Sequence, residues 1–346
     1  MKKLATSLLA VGLLLTGRGL WAEQSSAQPS PAAPAERQST HLQSTQDQPS
    51  AAQPGTHPGA QSEPATTLKV NVNLVNVFVT VTDAQGAPIA GLTKENFVLK
   101  EDGQEQKISV FDRESALPLS IALTIDTSLS TRHDLPLEQA SAKRFAHAIL
   151  RPIDGLSVYD FSEVVHDDTR GYTADLKRID ESIDHIRVGA ATALYDAIYL
   201  ASRALDHRQG RKVIVLITDG EDTVSKVDYK EAVRAAQEAE ALVYSIIIVP
   251  IENSAGREIG GEHALIQLSE DTGGKYYYAT SAAQLDDAFR KISDELRTQY
   301  LLAYYPSQRT SFSEFRRIAV QVVGTPNADA YRVRHRAGYY TVKSEF

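Results

Sequence analysis

Between Pro118 and Thr298 the sequence alternates short apolar runs with stretches of helical periodicity, and this alternation most narrows what the chain can fold into. The runs 119–125, 156–161, 213–217, 242–249 and 275–279 are strand-length and mostly continuous in apolar character, as strands buried on both faces are. Between them the spacing predicts amphipathic helices at 135–150, 174–186, 193–205, 229–239 and 281–296. The last shows the pattern in full: Ser281 as N-cap, Gln284 to close a capping box, and Leu285, Phe289, Ile292 and Leu296 on one face. Alternation of this kind specifies an α/β fold, a doubly wound and mostly parallel sheet covered by helices. Ligands of such sheets bind beyond the carboxyl ends of the strands, so the residues just after each apolar run are where chemistry is sought.

The flanks read differently. From residue 68 the pattern has period two, with Val70, Val72 and Leu74 followed by Val77, Val79 and Val81, then a turn at Asp83-Ala84-Gln85-Gly86. A short helical insert is expected near 88–97, a strand and hairpin turn over 98–104, and the returning strand over 107–111. After the central region, 300–305, 316–323 and 331–336 alternate again and are rich in aromatics. Some fifty residues of strand make a marginal unit alone, so the segments 68–116 and 299–346 are expected to complete one small β-domain around the α/β domain at 117–298.

The first residues read as an address. Lys2 and Lys3 precede an apolar run, 4–15, too short to span a bilayer and of the size of a secretory h-region, with Ala22 as the cleavage point. Residues 1–22 are therefore expected to be a signal peptide, and membrane association is expected only if that segment is retained. Residues 23–67 are expected to be a disordered spacer. Seven of the fourteen prolines and eight glutamines fall between 23 and 66, and Leu42 is the only large apolar side chain there, too little to offset backbone entropy.

Composition removes several function classes. With 36 basic against 44 acidic side chains and no basic block, the chain lacks the cationic surface that nucleic-acid binding requires. It has no Cys, which excludes disulfides, thiolate metal sites and cysteine nucleophiles. The chemistry left is that of carboxylates, hydroxyls and His.

Asp126-Thr127-Ser128-Leu129-Ser130 follows the first apolar run, placing one carboxylate and two hydroxyls at a strand end. Thr218-Asp219-Gly220-Glu221-Asp222 follows the run at 213–217, and between these motifs the small-residue loop Gly189-Ala190-Ala191-Thr192 leads into a helix. Taken singly, each has a plain structural role: an Asp–Ser helix cap, a Thr N-cap, an Asp-Gly turn. Together, at one end of one sheet, they make an all-oxygen set suited to a hard divalent ion, Mg²⁺ above all, with Mn²⁺ or Ca²⁺ as alternatives.

This constellation resembles the metal-ion-dependent adhesion site of von Willebrand factor type A domains. The resemblance runs from Pro118 to Thr298 and reaches the Thr272-Gly273-Gly274 turn; Ala190 stands where many members have Gly. It implies that Ser128, Ser130 and Thr192 ligate the metal directly and that Asp126 and Asp219 act largely through water. It also implies a binding module that captures a carboxylate presented by a protein partner. The flanking Gly91-Leu92-Thr93-x-x-Asn96-Phe97 and Arg336-Ala337-Gly338-Tyr339-Tyr340 resemble a bacterial exported subgroup of the family, which with the signal segment implies a location in the periplasm, cell envelope or medium. A metal-assisted hydrolase would need a general base or a second cation, and neither stands beside these motifs. No catalytic residue and no organic cofactor site is expected. A third reading is architectural, with the metal only stiffening the loops.

Other motifs are weaker. His166-Asp167-Asp168 follows a strand where a solvated edge is the ordinary outcome, and no His has a second ligand at zinc-motif spacing. The Tyr276-Tyr277-Tyr278 run is expected to pack a strand face. Export has a direct test in composition: Trp21 is the only tryptophan, so a product cut after Ala22 should fluoresce from tyrosine alone. Tryptophan emission from the exported product would show that the segment stays.

Overall fold

A computed structural model describes residues 74–113, 116–129, 131, 135–249, 259–308, 312–326 and 328–341. The expected signal segment and spacer lie outside these residues, as does Ser130. The chain opens with β1 (Val75–Thr82), β2 (Phe97–Glu101), β3 (Gln104–Gln106) and β4 (Ile108–Arg113). The alternating region follows as β5 (Leu119–Asp126), α1 (Leu135–Ile149), β6 (Gly155–Phe161), β7 (Val165–Asp167), α2 (Leu176–His185) and α3 (Leu194–Asp206). It continues through β8 (Arg211–Thr218), α4 (Tyr229–Glu238), β9 (Leu242–Ile248), α5 (Ile259–Thr272), β10 (Lys275–Ala279) and α6 (Ala282–Thr298). The C-terminal flank supplies β11 (Tyr300–Tyr304), β12 (Phe315–Val322), β13 (Arg332–Arg334) and β14 (Gly338–Tyr340).

The central sheet has the order β10-β9-β8-β5-β6-β7, parallel except for the short edge strand β7. All eight residues of β5 are buried because helices cover both faces. On one face Ile121, Leu123 and Ile125 pack with Phe145 of α1, Ile183 of α2 and Phe289 of α6. On the other, Ala122, Ile214 and Leu216 pack with Leu194 and Ile198 of α3, Ala236 of α4 and Leu265 of α5. The architecture is the doubly wound α/β fold that the alternation specifies.

Two further four-stranded sheets, β13-β1-β11-β4 and β14-β12-β2-β3, each combine strands from both flanks. They share one core of Val75, Val77, Val79, Phe97, Leu99, Tyr300, Leu302, Tyr304, Ile318 and Val320. Within it Glu101 is buried, and its Oε2 accepts from the hydroxyls of Tyr304 (2.6 Å) and Tyr339 (2.9 Å). Two tyrosines thus satisfy a carboxylate that would otherwise be costly to bury.

Three expectations need correction. The strand returning to β2 is β3, across the Asp102-Gly103 turn; residues 108–113 leave for the other sheet and pair with β11. Helix α5 has no clear signature because its buried stripe is Gly261, Glu262, Leu265, Leu268, Ser269 and Thr272, where hydroxyl contacts replace apolar ones. Ser269 Oγ meets Ser245 Oγ at 2.9 Å, and Thr272 Oγ1 accepts from Val243 N at 3.0 Å. Ser281 caps α6 as expected, but Gln284 Oε1 accepts from Thr280 N rather than closing a box on Ser281.

The β-domain holds the amino ends of β9 and β10. Arg334 reaches Glu295 Oε2 of α6 at 2.5 Å and the Gly274 carbonyl at 2.6 Å, Arg336 pairs with Glu240 at 3.0 Å, and Ala337 N donates to the Asp271 carbonyl at 2.9 Å. Glu295 also accepts from Tyr277 on the edge strand β10, so that tyrosine packs inward as the Tyr run suggests. Removing the Glu295 carboxylate leaves the Arg334 guanidinium half-buried without its partner. Glu295→Ala should therefore lower unfolding stability by about 3 kcal/mol, and Glu295→Gln by less, in urea titrations.

Candidate functional site

Strand β5 ends in Asp126, and the adjacent strand β8 ends in Thr218, so the parallel register sets the two side by side. Thr218 Oγ1 donates to Asp126 Oδ2 at 2.6 Å and accepts from Gly220 N at 3.1 Å. Asp126 Oδ1 accepts from Ser128 N at 2.9 Å, which turns the chain back over the carboxylate. Thr131 Oγ1 lies 3.0 and 3.1 Å from the carbonyl oxygens of Asp126 and Ser128 and closes the same turn. Asp126 is completely buried and Ser128 nearly so.

Burial pushes the Asp126 carboxyl up to about 6 against the pull of the Thr218 and Ser128 hydrogen bonds, and the nearby negative charge of Asp219 pushes it the same way. Asp219 is half-buried, and its Oδ1 accepts from Glu221 N at 3.2 Å. Its backbone is fixed by the following glycine: the start of α5 lies so close that a Cβ on Gly261 would stand 1.7 Å from the Gly220 carbonyl oxygen.

Thr192 is buried at the end of the small-residue loop, but it does not cap α3. Ala193 holds the cap position, and the first helical amides are taken from across the site: Leu194 N by Asp222 Oδ1 (2.9 Å), Tyr195 N and Asp196 N by Ser225 Oγ (3.0 and 3.2 Å). Asp196 answers by accepting from Lys226 N and Val227 N, both at 2.9 Å. The Thr192 backbone is held by Thr223, whose Oγ1 accepts from Thr192 N at 2.9 Å and whose N donates to the Thr192 carbonyl at 2.9 Å. Gly189 N donates to the Thr127 carbonyl at 2.8 Å, and a Cβ there would stand 2.2 Å from Ser162 Oγ, so only glycine lets this loop close on the β6–β7 turn.

The structure therefore brings Asp126, Ser128, Thr192 and Asp219 to one end of the sheet. Ser128 and Thr192 border a common cavity of about 330 Å³, with Leu129, Ala190, Ala191, Glu221, Thr223 and Val224. Sequence reading missed Thr218, Asp222, Thr223 and Ser225 as the residues that tie the loops together. Their signal was the density of Asp, Thr and Ser in 218–228, but partners about thirty residues away have no local spacing to reveal them.

The donor set is all oxygen, and among the described residues no Lys or Arg pairs with Asp126. A buried carboxylate beside a second carboxylate, with hydroxyls at hand and no basic partner, has the charge and chemistry to receive a hard divalent cation. Among the described residues no three or more His, Asp or Glu side chains cluster as metal ligands, at the Asp126 end or elsewhere. His166, Asp167 and Asp168 do not make one. His166 Nδ1 meets Asp160 Oδ1 at 3.1 Å, while Asp167 accepts from Ser157 Oγ (2.7 Å) and Gly171 N (2.7 Å) and holds the turn after β7.

The raised Asp126 value fixes the sign of a pH effect in metal-free protein. The folded state holds this proton more tightly than the unfolded chain, so stability is full below about pH 4 and falls as pH rises through about 6. Between pH 4.5 and pH 7.5 the loss is about 2 kcal/mol, and Asp126→Asn should remove it, as denaturant titrations in EDTA at those two pH values would measure.

No curated protein sequence matches the chain. Among solved structures it is similar to the conserved hypothetical protein BatB from Bacteroides thetaiotaomicron, at 20% identity and a TM-score of 0.42 over 52% of this chain and 100% of that one. It is also similar to a von Willebrand factor type A protein from Catenulispora acidiphila, at 12% identity and TM-score 0.46 over 78% and 75% of the two chains. The vWF domain of the type V pili tip protein Mfa5 from Porphyromonas gingivalis is similar at 14% identity and TM-score 0.43, over 52% and 95%. By sequence, the von Willebrand factor type A domain family matches residues 121–221, from within β5 to just past β8, and the chain thus carries a von Willebrand factor type A domain.

Proposed function

We propose that this chain is an exported protein-binding module whose Asp126 end holds Mg²⁺ and uses it to capture an acidic side chain of a protein partner. The observation that carries the reading is the fully buried Asp126 carboxylate, without a basic partner among the described residues and held by the backbone of Ser128, which borders a cavity together with Thr192. Ser128, Ser130 and Thr192 would offer hydroxyl ligands, with Asp126 and Asp219 balancing the charge largely through water. Bound there, Mg²⁺ would supply an incompletely filled coordination sphere that a carboxylate from outside can complete.

The chain's own groups prepare that event. Thr218 and Ser128 N hold Asp126 in one orientation, while Thr223 and Asp222 hold the Thr192 loop against the β8 loop. Asp126 and the Thr192 loop are thus held by hydrogen bonds that do not depend on the metal, which lowers the ordering cost of binding. Export is carried in this reading by the N-terminal address segment, with Mn²⁺ or Ca²⁺ as substitute ions. No helix among the described residues is long and apolar enough to cross a membrane.

Asp126→Ala and Asp219→Ala should each abolish Mg²⁺ binding in calorimetry at pH 7.5 while the far-ultraviolet circular dichroism stays as in the parent. In pull-downs from envelope extract, partner recovery should require Mg²⁺ and vanish in EDTA. Equal recovery under both conditions, or unchanged Mg²⁺ affinity in both variants, would contradict the proposal.

A further inference from the structure

The rim of the cavity that Ser128 and Thr192 border is more apolar than a polar metal site requires. Leu129, directly after Ser128, is 54% exposed, and Val224, directly after Thr223, is 44% exposed; both border the cavity. Val188, on the loop that carries Thr192, and Val164, in the β6–β7 turn that Gly189 and Ala190 touch, are also exposed. Exposed large aliphatics scattered singly need no explanation, but here they fall on consecutive loops around one opening, where they form a surface suited to contact. The same opening bears two exposed carboxylates that the metal arrangement does not use, Glu221 and Glu163, the latter accepting from Ala190 N at 2.8 Å. Glu221 borders the cavity, with its backbone N committed to Asp219 Oδ1.

Building on the metal reading of this site, we infer that the rim selects a partner segment with a single carboxylate flanked by aliphatic side chains, and disfavours acidic clusters. The metal would take the one carboxylate; Leu129 and Val224 would cover the neighbouring aliphatic groups and exclude water from the contact, as the rim of a binding hot spot does. Glu221 would face any second acid beside the first, and like charges at a partly desolvated opening are unfavourable. The two features act in the same direction: aliphatic flanks are accepted and acidic flanks are refused.

The test uses the full chain and three immobilised pentapeptides with blocked ends: Gly-Leu-Asp-Val-Gly, Gly-Ser-Asp-Ser-Gly and Gly-Asp-Asp-Asp-Gly. Affinities are read in Mg²⁺ and in EDTA, with Mg²⁺ binding measured separately by calorimetry. The aliphatic peptide should bind about tenfold more tightly than the serine peptide, and the triple-acid peptide most weakly. The double variant Leu129→Ser/Val224→Ser should lose the aliphatic preference at unchanged Mg²⁺ affinity, and Glu221→Gln should raise affinity for the triple-acid peptide alone. Equal capture of the three peptides with Mg²⁺ binding intact, or an aliphatic preference that survives the double variant, overturns the rim assignment and leaves the metal reading standing. Absence of Mg²⁺ binding in calorimetry, or equal peptide capture in EDTA, overturns the metal reading and the rim assignment with it.

Discussion

A carboxylate at the end of a fully buried strand is the constraint from which the rest of the site follows. Strand β5 lies in the interior of the parallel sheet with helices on both faces, so Asp126 at its end is desolvated before any ligand arrives. The adjacent strand answers with Thr218 Oγ1 at 2.6 Å and the turn answers with Ser128 N, but hydrogen bonds from neutral groups do not cancel the charge. Among the described residues no basic side chain does so either. Asp126 consequently carries a charge that the described residues around it leave unbalanced, and Asp219 adds to it.

Around that carboxylate the division of labour is clear. Apolar contacts of the strands and helices set where each strand ends. Polar contacts set where each loop goes: Asp222 and Ser225 cap α3 from the β8 loop, Asp196 returns the favour, and Thr223 fixes Thr192 by both its amide and its carbonyl. The flanking β-domain is secured elsewhere, through Arg334, Arg336 and Ala337 at the amino ends of β9 and β10, opposite to the Asp126 end of the sheet. The anchoring of the β-domain and the Asp126 site thus lie at opposite ends of one sheet, so the first can be perturbed at Glu295 without touching the second.

Much of this was legible in the sequence, and the parts that were not share a cause. The apolar runs of β5, β6, β8, β9 and β10 announce themselves because strands buried on both faces have little room for polar residues. Helix α5 was missed because Ser269 and Thr272 contribute hydrogen bonds where the pattern would lead one to expect methyl groups. Strand β4 was assigned to the wrong partner because Lys107 is all that separates it from β3, and a change of sheet over one residue leaves no trace in periodicity. In the site, Asp126, Ser128 and Asp219 are legible from their positions at strand ends and Thr192 from the small-residue loop before a helix, whereas Thr218, Thr223, Asp222 and Ser225 act across loops. Thr192 shows the limit of local rules: a Thr before a helix reads as a cap, yet the helix takes its caps from the β8 loop instead.

The central claim is that the oxygen groups gathered around Asp126 form a site for one divalent ion. Anomalous diffraction from crystals equilibrated with Mn²⁺ tests it most directly, because it locates the ion without reference to any partner. The account predicts one strong peak among Ser128, Ser130 and Thr192, displaced by excess Mg²⁺ and absent from Asp126→Ala crystals. A peak elsewhere on the molecule, or none at this end of the sheet in well-ordered crystals of the parent chain, would contradict it.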